Sequence, residues 1–441
     1  MDDALIKQAI KNSSIRDELF EKYEVKRGLR NKDGSGVVAG LTNIGTAIGF
    51  QKVENDVIPM PGQLIYRNYS VLDLVRGYSA RKGRRYEEAG YLLLFGKLPT
   101  SSELDSFSRE LTSQRNLPVN FKDDMICKLT GSDVMNMLAR SILILYATDE
   151  NPDDTSPENI VRQSVSIIAK FPIITAYSFQ AIKHGCSVAT FRWPKEDMGT
   201  AESFLYLLKG SNYNELEVEM LDLLLMLHAE HGGGNNSTFT ARCVSSTGTD
   251  TYSAIAAAIG SLKGPLHGGA SSKARAMMNE IKKAVTDWSL QKKISEYLSL
   301  IVEKRAFDKS GKIYGLGHSV YTLSDPRRIV LKEKARELAI QKGREKEMAL
   351  YELVEEIGPE IIHSQKGGQK IISANVDFYS GFIYDCLGLP EELYTALFAM
   401  GRILGWSAHR LEEMVSGKRL MRPSYKSVSA LEKYVPINER S

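Results

Sequence analysis

The stretch NELEVEMLDLLLMLHAEH, residues 214–231, sets the narrowest limit on how this chain can fold. Its apolar residues recur at helical spacing and, after Leu221, occupy nearly the whole circumference. A helix that is apolar all round must be covered on every side, so it needs many neighbours. Other segments supply them. TYSAIAAAIGSLK (251–263) is alanine-rich, and its small side chains let another helix approach closely. DPRRIVLKEKARELAIQKG (325–343) opens with Asp325 as N-cap and Pro326 at the first helical position, and stops near Gly343. PEELYTALFAMGRILGWSAHRLEEMVSG (390–417) keeps helical spacing, with glycines able to bend or divide it. Strand signals are few, the best being GQLIYRNYSV (62–71), which reads as a short hairpin. The fold class expected is mainly α. With 441 residues, a large helical domain plus a smaller one is the simplest division.

Bulk composition narrows the partners. Hydrophobic content of 43% and charged content of 25% are ordinary for a soluble globular protein. Lys plus Arg against Asp plus Glu is 57 to 54, with the basic residues scattered, which excludes a nucleic-acid face and leaves small anionic ligands open. The four cysteines, Cys127, Cys186, Cys243 and Cys386, form no CxxC pair and fit a reducing compartment better than a disulfide framework. The start, MDDALIKQAIKNSS, is acidic and has no apolar run, and VSIIAKFPIITAYSF is interrupted by Lys170 and Pro172. A cytoplasmic protein without a membrane partner is expected. The segment 270–375 is richer in Lys and Glu than its surroundings, and punctuated stretches bound it on both sides. It reads as an inserted helical domain, joined by two hinge-like crossings.

Four polar clusters interrupt the helical pattern. In AEHGGGNNSTFTAR (229–242) an apolar helix runs out into His231, three glycines, two asparagines and Ser237, a backbone dense in donors and acceptors. His228 and His231 have HxxH spacing, but no third ligand lies nearby in sequence, so a metal-dependent hydrolase built on them is the reading of another class. LKGPLHGGA (262–270) presents His267 between two glycine breaks. GLGHSVYTLSDPR (315–327) has Gly315 and Gly317, where a backbone can approach a ligand, then His318. Arg327 falls in the first turn of the next helix, where a cation opposes the helix dipole and calls for an anion from protein or ligand. SANVDFYSG (373–381) sets Asp377 in an apolar run, which raises a carboxylate's pKa and makes it a better base. An aspartate there is otherwise a helix cap.

Together, in this order and spacing, LKGPLHGGA, GLGHSVYTLSDPR and NVDFYSG resemble the three catalytic motifs of the citrate synthase family. GLTNIG (40–45), YEEAGYLLLFGKLP (86–99), AEHGGGNNSTFTAR and GRILGWSAHRLEE with RLMRPSYK extend the resemblance over nearly the whole chain. It implies condensation of acetyl-CoA with oxaloacetate, then hydrolysis of citryl-CoA, with no metal or redox cofactor and with the CoA thioester as a substrate. It implies Asp377 as base toward the methyl group, His267 as donor to the thioester oxygen and His318 as the group polarising the ketone. His231, Arg327, Arg402 and Arg422 would hold oxaloacetate, Arg422 reaching in from the second subunit of a homodimer. CoA would lie along Ile313, Gly315, Leu316 and Gly317, with Lys370 and Asn375 as further contacts. The large domain would comprise 1–269 and 379–441, and a small domain, 270–378, would close over an interdomain cleft. Gly232 stands where the family often has an acid, and no cysteine-bearing β-rich extension opens the chain, so a dimer without NADH regulation is expected. The close rival within the family is 2-methylcitrate synthase, which takes propionyl-CoA; one methyl group in an apolar pocket is worth only about 1–3 kcal/mol.

Overall fold

The computed structural model describes residues 3–31, 35–53, 56–77, 83–187, 191–366 and 371–440. Among these are seventeen α-helices and one small antiparallel sheet, β1 (Gly45–Val53), β2 (Asp56–Tyr66) and β3 (Tyr69–Ser70), in the order β1-β2-β3. The expected hairpin at 62–71 is the end of β2 with β3. The sequence pattern did not reveal β1, whose glycines and alanine, GTAIGF, give no alternation. Gly45 pairs with Tyr66, and a register shift falls between Ile48 and Phe50.

Helix Tyr394–Ser416 is the axis of the larger helical body. It packs on helices Arg85–Phe95, Pro157–His184, Glu215–His228, Asn236–Ser245 and Thr251–Lys263. Its glycines do not divide it. They let it touch its neighbour: a Cβ at Gly401 would stand 2.6 Å from the Leu225 carbonyl oxygen, and Gly405 N–H donates to Ala229 O at 3.1 Å. Helix Glu215–His228 starts at a capping box between Asn214 and Glu217. Its last carbonyls, which lack their regular intrahelical donors, are met by side chains. The Tyr66 hydroxyl donates to Met226 O and Leu227 O, and Arg402 Nε donates to His228 O at 2.6 Å.

Two sequence expectations need correction. Helix Pro157–His184 runs unbroken through Lys170 and Pro172. The ~3 kcal/mol that an interior proline costs is outweighed by burial along most of the helix, and Lys170 Nζ donates to Gln114 O and Ser166 Oγ. By length and composition this helix is able to cross a membrane, yet 89% of its most apolar window is buried inside the molecule. Cys127 and Cys186, read as unpaired, form a disulfide, their Cα atoms 5.7 Å apart. A spacing of 59 residues carries no local sign of such a pair.

Helices Ala270–Ala284, Gln291–Val302, Pro326–Lys342, Glu345–Lys366 and Val376–Cys386 pack largely on one another. Their Lys and Glu content goes into ion pairs between them. Lys332 and Arg328 meet Glu355, and Arg344 joins Glu347 to Asp385. Residue 378, taken above as the domain boundary, lies inside helix Val376–Cys386. The segment 315–325 runs between this group and the sheet: Thr322 Oγ1 donates to Gly49 O, and Gly62 N–H to Ser324 Oγ.

Candidate active site

Arg327 enters the site on the first turn of helix Pro326–Lys342, whose N-cap is Asp325. The anion that this cation requires is that same aspartate. Asp325 accepts from Arg327 N–H, from Nε at 3.1 Å and from Nη2 at 2.8 Å, a bidentate pair buried almost completely. Its second oxygen also accepts the Val376 N–H. One carboxylate therefore caps one helix, orients the guanidinium and ties in the first turn of the helix that carries Asp377. The Nη1 edge of Arg327 is left for other use.

Arg402 is 1% exposed, and among the described residues no carboxylate lies within ion-pair distance of it. Burial pulls its pKa down to about 10. A guanidinium buried without a counter-ion is unstable unless something anionic meets it.

The three histidines converge on these arginines. The His231 ring lies 5.2 Å from His318 and 5.4 Å from Tyr321. Burial, and then the charge of Arg402, lower His267 to about 4; burial, and then Arg327, lower His318 to about 4. His231 is pushed well below the usual imidazole range by burial, then by Arg327, His318 and Arg402. Asp377 is raised to about 6 by burial, against the attraction of Arg327 and Arg402. Arg327 thus acts on His231, His318 and Asp377, and Arg402 on His267, His231 and Asp377. Residues far apart in sequence share one electrostatic field.

Backbone amides decide which ring nitrogen carries the proton. Val320 N–H and Tyr321 N–H both donate to His318 Nδ1, at 3.0 and 3.2 Å. Ser237 N–H donates to His267 Nε2 at 3.3 Å, and Ser237 Oγ sits 2.9 Å from the same nitrogen. An amide can only donate, so the nitrogen facing it must hold a lone pair. The neutral rings are therefore His318 with Nε2–H and His267 with Nδ1–H, two neutral donors of fixed direction. Trp406 Nε1 donates to Ser237 Oγ and holds that support in place.

Asn375 is the N-cap of helix Val376–Cys386, accepting from Asp377 N–H, while its amide donates to Gly317 O at 2.7 Å. Gly317 N–H returns a bond to Ser373 O, and Leu316 bridges Ala374. The candidate CoA segment is thereby stapled to the segment 373–375 that leads to Asp377. Gly315, at φ +85°, has no room for a side chain, since a Cβ would stand 2.6 Å from Phe378 Cδ2. Ile313 puts its side chain in the core, leaving only its backbone to a ligand. Lys370 lies outside the described residues.

Arg422 is not brought to this site within the chain. It is exposed in the extended segment after helix Tyr394–Ser416, next to Met421, whose N–H donates to Ser246 Oγ. His228 and His231 have different surroundings, His228 facing Phe398 at 4.4 Å. Among the described residues no group of three His, Cys, Asp or Glu is disposed to hold a metal ion. Sequence reading passed over Glu230, a fully buried carboxylate that accepts from Gly232 N–H and pairs with His409 at 3.1 Å. It lies one residue before His231, whereas the family's acid was sought one residue after it.

A model of the citrate synthase family, described as "Citrate synthase, C-terminal domain", matches residues 34–424. A citrate synthase of Haloferax volcanii is 37% identical over 386 residues, covering 86% of this chain and 93% of that protein. A 2-methylcitrate synthase of Corynebacterium glutamicum is 31% identical over 427 residues, covering 95% and 99%. Among solved structures, the citrate synthase of Thermoplasma acidophilum, in a ternary complex with carboxymethyl coenzyme A and oxaloacetate, superposes with a TM-score of 0.77 at 28% identity, covering 94% of this chain and 99% of that one.

Proposed function

The chain belongs to the citrate synthase family, and from that premise we propose that this site condenses acetyl-CoA with oxaloacetate and hydrolyses the product to citrate and CoA. The observation that carries the assignment is the pair of amide-locked imidazoles acted on by the same two arginines as a carboxylate of raised pKa. Asp377 removes a proton from the acetyl methyl group. His267 Nδ1–H donates to the thioester oxygen as enol character develops. His318 Nε2–H polarises the ketone of oxaloacetate, whose oxygen takes up a proton as the new carbon–carbon bond forms. Water then cleaves the thioester and releases CoA thiol. Two neutral donors and one base balance these steps without a metal or redox group.

Arg402 and Arg327 Nη1 bind the two carboxylates of oxaloacetate, and His231 adds a contact. We assign the CoA side to the backbone of Ile313, Gly315, Leu316 and Gly317 with Asn375, and closure over the substrates to the helical group within 270–378. Of the alternative acyl donors, propionyl-CoA has support in the Corynebacterium relative, and the ratio of kcat/KM for the two thioesters decides between them. A cytoplasmic setting is proposed on cysteine spacing and must accommodate the Cys127–Cys186 pair.

The test is CoA thiol release from acetyl-CoA, which should depend strictly on oxaloacetate. Its pH profile is set by the same groups. Both histidines stay neutral down to about 4, so the acid limb belongs to Asp377. As a base, Asp377 works only when ionised, and its pKa is about 6. The value of kcat/KM for acetyl-CoA should therefore fall tenfold per pH unit below about pH 6 and stay level from about pH 7 to 8. A level profile down to pH 5 would remove Asp377 from the role of base.

We further propose a homodimer in which Arg422 completes the partner's site. Support comes from the exposed segment that carries it and from large apolar side chains left bare there, Tyr425 at 95% and Leu431 at 102% exposure. Mixing an Arg422→Gln variant with an Asp377→Asn variant should restore activity to about a quarter of wild type. Each hybrid dimer then has one site in which both residues are intact. No recovery after confirmed subunit exchange would place Arg422 elsewhere.

A further inference from the structure

Tyr321 is absent from the roles set out so far, yet it touches three residues that have one, His318, His231 and Arg327. Its ring stacks on His318, centroids 4.7 Å apart and planes 25° from parallel. It meets the edge of His231 at 5.4 Å, and the Arg327 guanidinium lies 5.7 Å from its centroid. Its hydroxyl is buried and has no hydrogen-bond partner among the described residues, in a residue 1% exposed. A buried phenol without a partner is costly, of the order of 1–3 kcal/mol, and folded proteins rarely keep one idle.

A second orphan lies beside it. His231 Nε2 is also buried and unpartnered, on the ring that Tyr321 touches. The charges that bear on the Tyr321 hydroxyl are Arg327, Asp325 and Arg402, the groups that frame the oxaloacetate site. Two unsatisfied polar atoms on touching rings, both under the positive charge of Arg327 and Arg402, describe a seat for a carboxylate. A phenol there adds a neutral donor and no further like charge next to the guanidinium groups.

We propose that Tyr321 is a further substrate-contact residue, its hydroxyl donating to a carboxylate oxygen of oxaloacetate beside His231. The assignment rests on the reading of this site as an oxaloacetate site. Tyr321→Phe removes the donor and keeps the stack on His318. Hydrogen bonds to charged groups are among the strong ones. The dissociation constant for oxaloacetate, measured by calorimetry on the dimer, should rise roughly tenfold to a hundredfold, and the KM for oxaloacetate should follow. At saturating oxaloacetate, kcat should stay within about twofold, and the melting temperature should not fall, because an unsatisfied buried hydroxyl has been removed. Tyr321→Leu loses the stack as well and should lower kcat in addition, through a less firmly held His318 ring.

An unchanged dissociation constant in Tyr321→Phe overturns the proposal. So does a parallel loss of kcat and thermal stability, which would mark a purely structural ring. Wild-type protein that fails to bind oxaloacetate overturns the functional reading itself. Binding by wild type with equal binding by Tyr321→Phe overturns only the role of the hydroxyl.

Discussion

Asp377→Asn should lower kcat by about a hundredfold to ten-thousandfold, leave oxaloacetate binding within about threefold, and raise the melting temperature at neutral pH. The first outcome follows from the chemistry. An amide cannot accept the methyl proton, and a positioned general base contributes about 10²–10⁴ in rate. The second follows from geometry, since Arg327 and Arg402 do not depend on Asp377 for their placement: Asp325 orients the first, and the His228 carbonyl holds the second. The third follows from linkage. The folded pKa of about 6 lies above the ordinary aspartate value of 3.8, so the folded state holds the proton more tightly than the unfolded one. Ionised Asp377 therefore costs stability above about pH 6, and the cost disappears below about pH 4. Two pKa units set an upper scale of roughly 3 kcal/mol. The variant should melt several degrees higher at pH 8 and no higher at pH 4. Loss of activity together with loss of stability would point to a structural aspartate and sink the assignment as base.

This pairing of lost activity with gained stability shows how far the sequence could be read. The ends of helix Pro326–Lys342 were legible because caps are local: Asp325, Pro326 and Gly343 lie where their chemistry puts them. The clusters around His231, His267, His318 and Asp377 were legible because glycine, asparagine and histidine break a helical pattern visibly. What held the imidazoles was not. The support of His267 comes from Ser237, 30 residues away, and from Trp406, 169 residues beyond that serine. No periodicity encodes such contacts. Arg327 was expected to meet an anion from protein or ligand, and the two-residue step back to its own cap escaped notice because aspartate is ordinarily read there as a cap only. Helix Pro157–His184 and the Cys127–Cys186 bond failed for the complementary reason. Local rules on proline and cysteine spacing were applied where tertiary packing decides. Tyr321 was hidden because nothing in SVYTLSD separates a substrate contact from a core tyrosine until its hydroxyl is seen without a partner.

Arg402→Gln should weaken oxaloacetate binding by at least about a hundredfold and, in the free protein, raise the melting temperature. Arg402 is buried with a single hydrogen bond among the described residues, to the His228 carbonyl, and Glu230 and Asp377 act on it only at a distance. Its pKa, lowered from 12.5 to about 10, means that the fold binds this proton less tightly than the unfolded chain does. The resulting cost, roughly 3 kcal/mol at most, is present at every pH below about 10. Glutamine removes the charge and keeps an amide able to approach His228 O, which limits the penalty for leaving that carbonyl unmet. The gain in melting temperature should therefore be the same at pH 5 and pH 8, unlike that of Asp377→Asn, which fades toward acid. Substrate works against that advantage. At a hundredfold excess over its dissociation constant a ligand stabilises by about 2.7 kcal/mol, so oxaloacetate should raise the melting temperature of wild type and scarcely move that of Arg402→Gln. If the variant melts lower than wild type without ligand, Arg402 holds the helices together, and the view of it as a charge strained in waiting for a carboxylate is wrong. The same measurement on the double variant bears on the site as one unit. Arg402 and Asp377 attract each other, so removing both should stabilise by more than the two single gains combined, because each single variant forfeits that attraction and the double variant forfeits it only once.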